Sequence, residues 1–272
     1  MQNFDNYIFR CSSLGKLMSA KPELTQTNKT YLGELFTELT EGKRKEISSK
    51  YFEKGNFMEE DGVGMINANF YPTKLLTKNK ERKQNEFISG ECDLHHAGIV
   101  WDIKNAWDVF TFAKAELSDT YEWQLRGYMW LWGLDKARLF YCLNNMPEHL
   151  IIEEERKVFY KHSFISPEDE EYQKLCVELR AFHNYDHREI YERFKIWEII
   201  KDDFEIEILK ARIIKCRQYM NGLLAEQRNR HAYNQSLMST PSGFIAQHDP
   251  AVMATIIAPL KTLPTLKKLK TA

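Results

Sequence analysis

Apolar and polar positions alternate through Ile99-Val100-Trp101-Asp102-Ile103-Lys104. In a strand this places Ile99, Trp101 and Ile103 on one face and Val100, Asp102 and Lys104 on the other. Another strand is expected at about 86 to 94, and the short gap His95-His96-Ala97-Gly98 predicts an antiparallel hairpin. KARLFYCL (136–143) and ERFKIWEII (192–200) read as further strands. Helices are expected at about 12–20, capped by Ser12 or Ser13, and at 29–41, 49–70, 107–116, 119–133 and 167–183. A long one, about 203 to 229, carries Ile206, Leu209, Ile213, Cys216, Met220 and Leu223 at helical spacing, a stripe for a core or for a subunit contact. The order α, α, β, β, α, β, then mostly α, predicts a layered α/β or α+β fold with a helical C-terminal extension. One domain is expected over 1–230, with the extension at about 150–230, followed by a weakly ordered basic tail over 231–272.

With 272 residues, 43% hydrophobic and 28% charged, the chain can build a sizeable core. No apolar run reaches the roughly 18 residues of a membrane span, and the N-terminal stretch lacks a signal-peptide pattern, so a cytoplasmic protein without a membrane partner is expected. Cys11, Cys92, Cys142, Cys176 and Cys216 are widely spaced and form no CxxC pair, which predicts reduced thiols rather than a cysteine metal site. The formal net charge of −1 gives no general argument for nucleic acid. Local basic clusters do exist: Lys43-Arg44-Lys45; Lys74, Lys78, Lys80, Arg82 and Lys83; and Lys261, Lys267, Lys268 and Lys270.

The charges on the second face of the 99–104 strand change the picture. With a turn centred on His96-Ala97, Asp93 lies opposite Val100 and becomes a diagonal neighbour of Asp102, about 7–8 Å away at the backbone. A slip of one residue would separate them. Two carboxylates so close repel unless a positive charge intervenes, and hard oxygen donors suit Mg²⁺ or Mn²⁺. Lys104 would sit beside such an ion, able to orient a water or stabilise a developing anion. On the 49–70 helix Glu59 falls on the apolar line of Phe52, Val63, Ile66 and Phe70, where a carboxylate needs a partner. Gln124 and Tyr128, at i and i+4, share a helix face, and a buried glutamine there could hold a water, a backbone group or a phosphate. Each feature alone fits an ordinary salt bridge or core pair; their ordered conjunction points to a site. His95 and His96 are expected in an exposed turn.

This order resembles the PD-(D/E)XK nuclease superfamily: a helix Glu (Glu59), a strand Asp (Asp93), then Asp102-Ile103-Lys104. Gly55-x-x-x-Glu59 and Gln124-x-x-x-Tyr128 are similar to the branch holding phage lambda-type exonucleases, YqaJ-like viral recombinases and RecB-type nuclease domains. Residues 11–18, CSSLGKLM, resemble the N-terminal helix start of phage exonucleases, where a serine contacts a terminal phosphate. The match covers about residues 8–144, and Asp102 stands where Glu is common in this branch. The resemblance implies a restriction-endonuclease-like core, a mixed central sheet flanked by helices, and a two-metal phosphodiesterase. Asp93, Asp102 and the Ile103 carbonyl would bind Mg²⁺, with Mn²⁺ as a substitute, and Glu59 would bind directly or through water. Lys104 would position and activate water, Ser13 would grip a 5′-phosphate, and Gln124 and Tyr128 would support substrate. It further implies 5′–3′ exonuclease action on double-stranded DNA ends in phage recombination or repair, a homo-oligomer (a trimer), and a single-strand annealing partner. Alternatives within the superfamily are a RecB-like or CRISPR-adaptation-type nuclease or a structure-specific endonuclease. Outside enzymes, the alternative is a phage DNA-binding protein with a decayed site.

Overall fold

The computed structural model describes residues 3–43, 54–55 and 57–239. The chain divides into a compact unit over 1–221 and a second over 222–272. In the first unit, β1 (Phe9–Arg10) runs through a 3-10 turn (Cys11–Ser13) into the single-turn helix α1 (Leu14–Leu17). α1 stops short of the expected 20 because Met18 is extended, while the Asn28 amide donates to the Lys16 and Met18 carbonyls at 2.8 and 3.4 Å. The same Asn28 closes a capping box with Thr25, so α2 (Gln26–Glu41) begins ahead of the expected 29. α3 (Glu59–Phe70) buries Val63, Met65 and Ile66. Phe52, Arg44, Lys45 and the tail lysines beyond 260 lie outside the described residues.

The strands form two sheets rather than one. β1 pairs with β3 (Ile88–Gly90), and β3 with β2 (Lys83–Gln84). The larger sheet is mixed, with order β4 (Leu94–His96), β5 (Ile99–Asn105), β6 (Lys136–Cys142), β7 (Phe194–Ile200); β5 and β6 are parallel and the outer pairs antiparallel. The expected 86–94 strand is therefore broken at Glu91–Asp93, its halves serving different sheets. Ala97 and Gly98, at φ 51° and 77°, make a two-residue turn of the kind that matches strand twist. His95 and His96 consequently sit on β4, paired with Val100 and Ile99, and not in the turn.

The expected helices at 107–116 and 119–133 are α4 (Val109–Ala113) and α5 (Asp119–Trp132), the second capped by Ser118 and stopped at Gly133 with φ 65°. A helix not anticipated, α6 (Glu148–Lys161), packs beside α7 (Glu170–Phe182); Arg180 spans both by pairing with Glu148 and Glu155 at 2.9 and 2.6 Å. α8 (Asp203–Ser239) continues beyond the expected end at 229, through part of the stretch read as tail. Its stripe from Ile206 to Met220 is core: Leu209, Ile213, Cys216 and Met220 are fully buried. Arg212 fastens it to the 19–23 loop by donating to the Ser19 and Glu23 carbonyls. All five cysteines are buried free thiols, and no helix among the described residues is long and apolar enough to cross a membrane.

α3 covers the apolar face of β5 and β6, where Val63 and Ile66 meet Trp101, Ile103, Phe140 and Cys142. Gly62 sets how close the helix comes: a Cβ there would lie 2.5 Å from Ile103 Cγ2. Gly62→Ala is expected to lose about 1–2 kcal/mol, because overpacking a strand-bound isoleucine outweighs the gain in helix propensity. Gly64→Ala, with nothing within 4 Å, is expected to gain about 0.5–1 kcal/mol. Denaturant unfolding of the two variants measures both; equal shifts would refute close packing at Gly62.

Candidate active site

The other face of β5 carries the charges. Asp102 is 1% exposed. An isolated carboxylate there would be strongly unfavourable, but both oxygens are engaged. Oδ1 accepts from Gln124 Nε2 at 3.0 Å, and Oδ2 lies 2.7 Å from Lys104 Nζ, two residues along the same strand face. Gln124 Nε2 also donates to the Tyr128 hydroxyl at 2.9 Å. The i, i+4 spacing in α5 thus aims both side chains at Asp102. Gly90 permits this, since a Cβ there would lie 2.8 Å from Tyr128 Cε1.

Asp93 arrives differently from expectation. The observed register pairs Leu94 with Trp101, which puts Asp93 level with Asp102, not diagonal to it. Asp93 is also outside the strand: β4 begins one residue later, and Asp93 Oδ2 accepts from the Ile103 backbone N–H at 2.6 Å. The carboxylate replaces a strand partner for that amide. In a strand the N–H and C=O of one residue point to the same side, so the Ile103 carbonyl faces the side where β4 has ended. Glu59, at the first turn of α3, is ion-paired with Lys78. Ser13 stands apart: its hydroxyl donates to the Arg10 carbonyl at 2.7 Å, and no contact joins it to the Asp102 cluster among the described residues.

Burial, then Asp102, pushes the Asp93 carboxyl up from 3.8 to about 7. Burial also raises Asp102, against the pull of Lys104. Burial alone would lower Lys104, but Asp102 and Asp93 outweigh it and hold the ammonium charged above the ordinary lysine range. Tyr128 stays protonated, raised by burial and by Asp102. Two carboxylates against one ammonium leave an excess negative charge, Glu59 and Lys78 cancelling each other. Asp93, Asp102 and the Ile103 carbonyl form a hard-oxygen donor set that fits a divalent cation. Among the described residues no three His, Cys, Asp or Glu side chains converge into an ion-holding group, and Glu59 is taken up by Lys78.

Residue reasoning missed Lys78 as a site residue. It stands in a segment without periodicity, and only its membership of the 74–83 basic run marked it. Tyr121 was missed too; its ring centroid lies 5.7 Å from Lys104 Nζ, and its position one turn before Gln124-Leu125 on α5 was the available signal.

A strand Asp-x-Lys, a second Asp level with it and a helix Gln bonded to the first Asp, on a mixed sheet flanked by helices, is the arrangement that the PD-(D/E)XK resemblance leads one to expect. Among solved structures, exonucleases share this fold. The chain is similar to a phage-related exonuclease from Haemophilus somnus 129PT, with 26% identity over 82% of this chain and 97% of that one and a TM-score of 0.65. It shares its fold with the alkaline exonuclease LHK-Exo from Laribacter hongkongensis, at 10% identity over 84% and 95% of the two chains and a TM-score of 0.56. A structure of LHK-Exo in complex with dAMP matches at a TM-score of 0.55 and 12% identity, over 83% of this chain and 94% of that one. No protein-family model matches the chain, and no curated protein does.

Asp93 sets the expected pH behaviour. Its folded pKa exceeds its unfolded one, so its contribution to stability is full below about pH 4 and is lost as pH rises through about 7. In EDTA, thermal unfolding should shift to lower Tm between about pH 5 and pH 8, and Asp93→Asn should flatten that slope. Mg²⁺ should raise Tm more at the higher pH, where the carboxylates are ionised. An Asp93→Asn slope as steep as that of the wild type would refute the assignment.

Proposed function

We propose that the chain is a divalent-metal-dependent deoxyribonuclease that hydrolyses phosphodiester bonds from double-stranded DNA ends, 5′ to 3′, in phage recombination or DNA repair. The observation that carries this reading is the buried Asp102–Lys104–Gln124 cluster with Asp93 beside it, set on the fold of phage exonucleases.

Asp93, Asp102 and the Ile103 carbonyl would hold Mg²⁺, or Mn²⁺ in its place; a second ion would draw on Glu59 once it leaves Lys78. Bound there, the ion supplies Lewis-acid polarisation of the scissile phosphate and neutralises its charge. The remaining work falls to the chain's own groups. Lys104 stays an ammonium in its pair with Asp102, so it donates hydrogen bonds and does not serve as a base. Its N–H groups can orient the attacking water or hold a non-bridging phosphate oxygen as charge builds. Gln124 pins Oδ1 of Asp102 and stops the carboxylate from rotating, and Tyr128 holds Gln124 in turn. Ser13 would meet the 5′-phosphate after releasing the Arg10 carbonyl, a role that rests on the family resemblance, as do the trimer and the annealing partner.

With Mg²⁺ and end-labelled duplex DNA, Lys104→Ala is expected to slow degradation by about 10²–10³-fold, and its Tm, measured alongside, separates lost chemistry from the loss of Asp102's partner. Lys104→Ala degrading DNA at the wild-type rate would overturn the catalytic assignment. Duplexes with 5′-phosphate ends should be degraded faster than those with 5′-hydroxyl ends, and Ser13→Ala should narrow the difference. Equal rates on both end types would remove Ser13 from substrate binding.

A further inference from the structure

Lys54, five residues ahead of Glu59, is 1% exposed. A buried ammonium needs partners, and here they are two backbone carbonyls. Nζ donates to Trp107 at 3.0 Å and to Asn144 at 3.1 Å. Trp107 and Asn144 stand two residues beyond the ends of β5 and β6, so one side chain bridges the carboxyl ends of the parallel pair. Asn144 Nδ2 donates to Asn105 Oδ1 at 2.8 Å, which ties the second carbonyl back to β5. Burial lowers the Lys54 pKa to about 8, with Asp108 pulling the other way.

The chain is helical at Lys54 and Gly55, and hydrogen bonds carry the winding into α3. Met58 donates its N–H to the Lys54 carbonyl at 3.0 Å, and Gly62 donates its N–H to the Met58 carbonyl at 3.1 Å. Lys54, Met58, Gly62 and Ile66 follow at intervals of four and are all buried, so they share the face turned to the sheet. That face is fastened at two points. At Gly62 it closes on Ile103, and at Lys54 it is bonded to the strand ends. Glu59 lies between the two anchors, which together set how its turn stands against β5. β5 is also the strand whose Ile103 carbonyl belongs to the candidate ion site.

We propose that Lys54 is a positioning residue for Glu59: its bonds to the Trp107 and Asn144 carbonyls hold the turn that presents Glu59 to a divalent ion. The inference rests on the metal-dependent nuclease reading, in which Glu59 serves an ion beside Asp93 and Ile103. A lysine that only stabilised the fold would leave the ion affinity of the folded chain untouched.

The test is calorimetric titration of Mg²⁺ into the full chain without DNA. It compares wild type with Lys54→Met, Glu59→Gln, the double variant and Ile213→Val, at a temperature where the Tm of each shows it folded. Lys54→Met keeps the length of the side chain and removes the donor. Ile213→Val, buried on α8, lowers stability at a different element. Lys54→Met should weaken Mg²⁺ binding by about tenfold, and Glu59→Gln by at least as much. The double variant should bind no more weakly than Glu59→Gln alone, and Ile213→Val should bind as wild type does. Should Lys54→Met not fold, Lys54→Gln, which retains a shorter donor, takes its place with the same expectation. Wild-type affinity in the lysine variant overturns the proposal. So does a double variant that loses a further tenfold beyond Glu59→Gln, because the effect would then not pass through Glu59. An equal loss in Ile213→Val overturns it as well, assigning the effect to general stability. The nuclease reading fails on a separate readout: wild type with Mg²⁺ that leaves duplex DNA intact.

Discussion

The structure depends on the burial of one charge. Asp102 lies in the middle of a central strand with almost no exposure, where an unpartnered carboxylate would cost several kcal/mol. Its compensation comes from two directions. Lys104 is on the same strand face by the period of two, so the pair forms whenever β5 forms. Gln124 must be delivered by a separate helix, and this makes the seat of α5 part of the site. The close approaches at Gly90 and Gly127 let Tyr128, Cys11 and the 3-10 turn nest together behind that helix. Core packing and site geometry are therefore one problem, and replacing Gln124 or Lys104 would leave a buried acceptor short of a donor as well as altering chemistry.

What was legible in the sequence follows from this. β5, β6, β7 and α5 could be read because each has one face of a single character, and the period of two or 3.6 then exposes both the core and the odd residue on the wrong side. Asp102, Lys104, Gln124 and Tyr128 were found that way, and the structure brings the four together. The expected 86–94 strand failed because its break is made by a side chain: Asp93 substitutes its carboxylate for a backbone acceptor at Ile103 N, and no pattern of hydrophobicity records that. The assumed register was off by two residues, which preserves facing. That is why Asp93 still lands beside Asp102. α6 was missed because its apolar side is narrow, with only Leu150 and Ile151 fully inside and a run of charged residues over the rest. The pairing of Glu59 with Lys78 was illegible because it joins a helix to an aperiodic segment.

The comparisons fit the same account. A fold shared at 10% identity with LHK-Exo is expected if most of the core needs only apolar side chains of suitable volume. The demanding positions are few: a strand pair Asp-x-Lys, an acid before it, a Gln and Tyr one turn apart.

The shortness of β4 ties these observations together. Had the strand continued back through Asp93, Ile103 would have spent both backbone groups on a β-ladder, and its carbonyl would not be available to an ion. The outer edge of β4 would also have been long enough to invite a further strand. Instead the strand stops at Leu94. The Asp93 side chain takes over the amide, and the 77–80 segment lies along the outer edge through Asn79 rather than through a full ladder. That loose pairing leaves Lys78 free to meet Glu59 beside the strand's end. A local failure of strand pairing thus supplies the oxygen-rich edge suited to a cation, with the Asp93 carboxylate and the Ile103 carbonyl brought to the same break.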